Sequence, residues 1–451
     1  MPIKRVHEFR DPLHNFIELD RQQRALVDSI PFQRLRHIHQ LALTSFVYPG
    51  ATHKRFDHSI GVMHLAQKVF DVLVDPANIH PTVEHIIPDR QNLAYWRSVL
   101  SLSALAHDLG HLPFSHAAEK KLLPHGEDHE NLTLDLISSD LMAGVWDMGH
   151  RVHVRDVQKL AVGQKKLKNE NFTTWESILS EVITGDSFGV DRMDYLLRDS
   201  YYAGVNYGKF DHAKLIPSLR ILPESMGNGG STEPLLGVEF NGLHSAEALL
   251  LARYFMYEQV YFHPIRRIYD LHLIDYMVSH YGANGYRKDV AFHLSQTDNE
   301  VMSSIRAAFG NFDAPGHDSA QAILRRGHFR SVYSYNPTDQ EILQSAIESG
   351  SLEPDINKPL NSPAYQLGKI LSKNFGEANI KTDLYIQGSS PALFPVLMPD
   401  GRVESSVSVS PILANFPLMT VDSIYASPTI AGDVRAWIAQ ERHAVLTGAV
   451  K

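Results

Sequence analysis

Imidazole and carboxylate, the side chains that hold divalent ions in a chain without cysteine, stand side by side at His107-Asp108. They follow the apolar run Leu100, Leu102, Ala104, Leu105, Ala106 and precede Gly110, so a helix ending there presents two ligands at the tip of a rigid buried element. A second pair, His317-Asp318, comes after Pro315-Gly316 and reads as a solvated loop. An ion needs further ligands, and two helical stretches offer them: His58 in HKRFDH (53–58) and Asp191 in VDRMDY (190–195). Taken singly, each is as well explained as a satisfied core histidine or a capping aspartate. Together, two His and two Asp make a site for a borderline-to-hard cation, with positions left for water or phosphate as metal-assisted hydrolysis requires. Sixteen of the 25 histidines fall within residues 1–153, a skew that suits metal ligation and acid–base work near neutral pH.

The elements that must position these groups are mostly helical. Asp11-Pro12 and His14-Asn15, set between short apolar runs, predict a small hairpin over residues 5–20. From there to about Tyr207 apolar residues recur at helical spacing. Thr173 to Glu176 reads as a capping box before Ile178, Leu179, Val182 and Ile183. The spacing predicts a helical catalytic core over 1–215, an exposed Gly/Ser/Pro-rich loop over 216–240, and a helical extension over 241–335. Beyond that, prolines 337, 354, 359 and 363 and the short runs 383–387, 393–398 and 403–409 predict a mixed α+β lobe over 336–451. The fold class is mainly α.

Composition narrows the function classes. With 42 Lys and Arg against 51 Asp and Glu the net charge is −9, so no global basic field draws the chain to nucleic acid or to an acidic membrane. Any polyanion it handles must meet a local basic pocket. The charged N-terminus has no apolar signal region, and the run 405–421, broken by Pro411 and Pro417, falls short of the roughly 20 apolar residues a bilayer needs. No cysteine excludes disulfides, thiolate nucleophiles and Cys-ligated zinc and fits a reducing compartment. The expectation is a soluble, cytoplasmic protein without a membrane or nucleic-acid partner.

The order His58, His107-Asp108, Asp191 resembles the HD-domain metal-dependent phosphohydrolases. The words DPLHNFIEL (11–19), PFQRLRHIHQL (31–41), YPGATHKRFDHSIGV (48–62), HDLGHLPFSH (107–116) and VDRMDYLLRD (190–199) are similar to the dNTP triphosphohydrolases, the branch that includes the human SAM- and HD-domain enzyme. The likeness is strong over residues 5–210 and weak through 243–335, and the expectation is an enzyme without a SAM domain before the hairpin.

The resemblance implies roles. His58, His107, Asp108 and Asp191 become the ligands of a divalent ion, for which Mn, Fe, Mg, Zn and Ni all suit His and carboxylate. Arg55 matches a phosphate-binding arginine, His111 a phosphate-contacting histidine, and His116 and His129 the histidines near the scissile phosphate. Glu119 stands where the human enzyme has Asp. Gln40 and Asp199 match residues that bind a 3′-hydroxyl, Tyr195 one that packs on the sugar, and Leu41 a bulky residue that crowds a 2′-hydroxyl. Arg192 replaces a phosphate-contacting lysine. Asp28, Gln33 and Arg36, with Arg326 and Arg330, match residues that bind an activating nucleotide between subunits, which implies a homo-oligomer, dimer or tetramer. The implied reaction is hydrolysis of dNTPs to deoxynucleoside and inorganic triphosphate. Its rivals are an HD phosphodiesterase or phosphatase acting on a cyclic or modified nucleotide, and a nucleotide-sensing oligomer with a vestigial site.

Overall fold

The computed structural model describes residues 7–149, 151–223, 233–282, 285–352, 362–386, 393–417 and 419–449. They form two compact units: residues 1–256, 281–303 and 391–416 make the first, and 257–280, 304–390 and 417–451 the second. The fold is mainly helical, with an N-terminal hairpin and helices joined by sheet toward the C-terminus, as the periodicities predict.

In the first unit, β1 (His7–Asp11) and β2 (Asn15–Leu19) pair antiparallel with Asp11 opposite Asn15. Asp11 Oδ1 accepts from Leu13 N and His14 N, and Asn15 takes a left-handed φ of 63°, which its short polar side chain tolerates. The helix Arg55–Leu73 packs on the helix Arg90–Ala106, and Ile60, Met63 and Val69 of the first and Leu102 and Leu105 of the second are buried. Asp89 caps the start of the second of these at Gln91 N and Asn92 N, and His107 ends it, so the apolar run does deliver His107-Asp108 at a helix tip. Asp128 closes a capping box on the helix His129–Ile137, and Thr173 closes the predicted one on Thr174–Thr184. The helix Val190–Ala203 stops at Gly204, whose φ of 72° turns the chain out of it.

The segment expected to be an exposed loop over 216–240 instead carries two strands. β3 (Leu219–Leu222), buried throughout, pairs antiparallel with β4 (Leu235–Glu239), and residues 224–232 lie outside the described ones. The Gly/Ser/Pro content of the segment hid the apolar runs that form these two strands. β4 also pairs, parallel, with β7 (Pro395–Leu397), which pairs with β8 (Val403–Ser405), so the order is β3-β4-β7-β8.

The second unit contains the antiparallel sheet β5-β9-β6, formed by Arg330–Tyr333, Thr420–Ala426 and Ile380–Ile386, over a core that includes Leu343, Leu367, Leu371, Ile424 and Val434. Pro354, Pro359 and Gln387 lie outside the described residues. His317-Asp318 is not a loop: Gly316, at φ 77°, turns the chain into the helix His317–Leu324, and buried His317 donates Nδ1–H to Ala308 O at 3.0 Å. Among the described residues no helix is long and apolar enough to cross a membrane.

Burial, with Lys381 and His328 nearby, pushes His272 down to about 3, and its neutral Nε2 accepts Phe329 N–H at 3.2 Å. Above pH 6.5 neither the folded nor the unfolded state protonates this ring. Below it the unfolded chain takes up a proton that the folded chain refuses, so stability falls as pH drops from 6.5 toward 3, by up to about 1.4 kcal/mol per pH unit. His272→Gln keeps an acceptor for Phe329 N without titrating. Its melting temperature is expected to fall less than that of the wild type between pH 7 and pH 4.5; equal falls would refute the assignment.

Candidate metal centre

Three helices deliver the ligand candidates. His58 lies one turn into Arg55–Leu73, His107-Asp108 at the end of Arg90–Ala106, and Asp191 in the first turn of Val190–Ala203. His58, His107 and Asp108 offer atoms that all lie within 4.8 Å of one another. Asp191 Oδ1 comes to 2.9 Å from His58 Nε2 and 3.6 Å from His107 Nε2.

The donor set fits a divalent cation. His107 donates Nδ1–H to Ala104 O at 2.8 Å, so its buried Nε2 carries a lone pair, and it has no hydrogen-bond partner. Asp108 Oδ1 stands 3.3 Å from that nitrogen. His58 donates Nδ1–H to Asp194 Oδ2 at 2.9 Å, which aims its Nε2 at Asp191 and, at 3.8 Å, Asp108. Acceptors so arranged need positive charge between them. In the metal-free chain protons supply it: burial opposes the charge on His58, yet hydrogen bonds to Asp191 and Asp194 push its pKa up to about 10. Asp108, despite burial, is held well below the carboxylate range by Arg55, His107 and His111.

A second cluster adjoins the first through Asp108. His111 Nε2 lies 3.1 Å from Asp108 Oδ1, and the His111 ring stacks on His129 at 3.9 Å. His116 and His129 both place Nδ1 against Glu119 Oε2, at 3.2 and 3.1 Å. The longer acid therefore reaches His129. Burial notwithstanding, those hydrogen bonds hold the Glu119 carboxyl well below its ordinary range. Ligand atoms of His111, His116, Glu119 and His129 also lie within 4.8 Å of one another.

Local backbone explains the approach. A Cβ on Gly110 would meet His129 O at 2.1 Å and Thr133 N at 2.3 Å, so only glycine lets the His129 helix seat against the end of the HD segment. Thr133 Oγ1 donates to His107 O and accepts from Gly110 N. Phe114 and Ser115 sit at φ 57° and 59°, costly for residues with side chains. Asp298, remote in sequence, accepts Phe114 N at 2.6 Å and His39 N at 2.7 Å, and Ser115 Oγ accepts from Arg55 and donates to His39 O.

Among the other predicted residues, Arg55 is buried and donates Nη1–H to Asp108 Oδ2 at 2.6 Å. Gln40 and Asp199 meet at His53, whose carbonyl accepts Gln40 N at 3.1 Å and whose Nε2 pairs with Asp199 Oδ1 at 2.7 Å; Gln40 Oε1 is buried without a partner. Leu41 is buried and Tyr195 half-buried. Arg192 is turned to Gly185 O at 3.2 Å and Asp186 at 3.7 Å, neither of them in the two clusters. Asp28 pairs with Arg24, and Gln33 with Arg36, in the first unit; Arg326 and Arg330 are exposed in the second, where Arg330 Nη1 lies 2.9 Å from His328 Nε2. Sequence reasoning passed over Asp194, Asp298 and His53. Asp194 alone had a local signal, standing one turn from Asp191 on the same helix.

Residues 210–341 match the family model described as HD associated region. The Bacillus subtilis protein described as uncharacterized protein YwfO is 35% identical over 261 residues, 57% of this chain and 52% of that one. The Dictyostelium discoideum deoxynucleoside triphosphate triphosphohydrolase SAMHD1 homolog is 28% identical over 271 residues, 59% of this chain and 48% of its own length. The chain spans about half the length of these relatives. Among solved structures, a hypothetical protein from Aquifex aeolicus superposes with a TM-score of 0.72 at 28% identity, over 96% of this chain and 99% of that one.

Proposed function

We propose that this chain, similar over 59% of its length to a deoxynucleoside triphosphate triphosphohydrolase homolog and matching the HD associated region over residues 210–341, is a phosphohydrolase of the HD type that hydrolyses deoxynucleoside triphosphates to deoxynucleoside and inorganic triphosphate. The observation that carries the reading is the join between the two clusters: one carboxylate, Asp108, faces His58 and His107 on one side and His111 on the other. His58, His107, Asp108 and Asp191 would hold a divalent ion, whose charge would serve to polarise a phosphate and acidify water. Arg55 neutralises charge beside it, and phosphoryl transfer is dominated by such positioning and electrostatics. His129, oriented through Nδ1 by Glu119, keeps Nε2 for handing a proton to the departing 5′-oxygen, with His111 and His116 against its ring. Gln40, Leu41, Tyr195 and Asp199 form the deoxyribose floor. Arg192 would have to leave Gly185 to reach a phosphate. An activating nucleotide bound between subunits, at Asp28, Gln33 and Arg36 of one and at Arg326 and Arg330 of another, and a homo-oligomeric, cytoplasmic enzyme complete the reading.

Chromatography of the products, with each dNTP and NTP and single added metals, tests the reaction: intact triphosphate supports it, and pyrophosphate or phosphate favours another HD hydrolase. Sugar discrimination tests the floor. An unpaired buried hydroxyl costs roughly 1 to 3 kcal/mol, an expected preference of about fivefold to 150-fold for dGTP over GTP in kcat/KM. Leu41→Ala should narrow it, and Asp199→Ala should weaken both nucleotides alike through the shared 3′-hydroxyl. Equal use of dGTP and GTP by the wild type would discard the sugar pocket.

A further inference from the structure

Beneath His58 lies a buried ion-pair network that the reaction as described does not use. Asp194 is fully buried, and its two oxygens receive four donors: Oδ1 takes His14 Nε2–H and Arg198 Nη2–H, both at 2.9 Å, and Oδ2 takes His58 Nδ1–H at 2.9 Å and Arg198 Nε–H at 2.8 Å. A carboxylate has about four lone-pair sites, so every one is filled. Arg198, also fully buried, extends Nη1–H to Asp11 Oδ2 at 2.8 Å. Asp11 and His14 are the turn residues of the N-terminal hairpin, so DPLHN reaches under the site. Space here is fixed by a glycine: a Cβ on Gly61, one turn beyond His58, would stand 2.0 Å from Asp194 Oδ1 and 2.4 Å from Arg198 Nη2.

This arrangement has a consequence for the ring it touches. With four donors aimed at it, Asp194 can only accept, so His58 keeps a proton on Nδ1, and Nε2, facing Asp191 and Asp108, is the nitrogen that exchanges its proton for a cation. A carboxylate on the far nitrogen of a ligating histidine fixes tautomer and ring orientation and raises the basicity of the ligand. We propose that Asp194, clamped by Arg198 and by Asp11 and His14 of the hairpin turn, is the positioning carboxylate that sets His58 to bind the metal, so that the hairpin is a functional part of the metal centre. The inference rests on the metal-centre reading above.

The test is titration of chelator-treated full-length chain with Mn²⁺ by calorimetry, beside the melting temperatures of the metal-free forms. Asp194→Asn presents an NH₂ to donors on one side, and its Mn²⁺ dissociation constant is expected to rise about 10- to 100-fold. Raising Mn²⁺ should restore turnover toward the wild-type kcat, which a merely structural defect would not allow. Should Asp194→Asn fail to fold, His14→Leu removes one donor and leaves Arg198 paired; it is expected to weaken Mn²⁺ in the same direction by less. A folded variant at either position with wild-type Mn²⁺ affinity overturns the proposal, whatever its melting temperature. A wild-type chain that binds no Mn²⁺ overturns the metal centre itself and the proposal with it, an outcome the wild-type titration alone reveals.

Discussion

Alanine at His107 is expected to abolish turnover and strip the chain of metal while leaving its helical circular dichroism intact. His107 gives the fold one hydrogen bond, to the carbonyl of Ala104, and its other nitrogen faces only acceptors. On the proposed reading its loss removes a ligand and little else. Asp108→Ala should be equally inactive but for two reasons that separate in the melting curve. Asp108 also receives the buried Arg55 guanidinium and His111, and deleting it strands a charge away from water, a loss of about 3 to 5 kcal/mol. The metal content by mass spectrometry should therefore fall in both variants, and the melting temperature substantially only in Asp108→Ala. Full activity in either variant would end the metal-hydrolase reading.

What was legible in advance follows from how local each signal is. The hairpin, the capping box at Thr173 and the helix ending at His107 are written within a few residues and appear where the spacing puts them. The strand β4 was hidden because its partners lie at residues 219–222 and 395–397, distances over which no spacing rule operates. Asp298, which holds two loops about 184 and 259 residues away, is invisible for the same cause: sequence offers a carboxylate at a helix start, and the fold alone makes it a clamp. His317-Asp318 failed differently. Pro315-Gly316 is a sound turn signal, but a left-handed glycine also begins a helix when the next residues can bury a face, as Ala320 and Ile323 do. Of the candidate site, then, residue types and order were readable, with Glu119 beside His129 among them, and Asp194, the carboxylate under His58, was not.

The orientation of His129 carries the other large effect. Its Nδ1 and its own backbone N both point to Glu119, the first at 3.1 Å and the second at 3.2 Å, so the ring is held by a carboxylate that cannot take its proton away at neutral pH. On the proposed reading this ring acts as a general acid rather than as a metal ligand, and general acid–base groups supply about 10²- to 10⁴-fold. His129→Ala is accordingly expected to keep the metal content and the KM of the wild type and to lose turnover by that factor. Glu119→Gln should lose less, because the ring remains stacked on His111 while its tautomer is no longer imposed. The alternative is specific: His111, His116, Glu119 and His129 converge closely enough to hold an ion of their own. If so, His129→Ala would lower metal stoichiometry along with rate, and Glu119→Gln would do the same. Metal counted per chain in wild type and both variants, set against kcat, decides which chemistry these four residues perform.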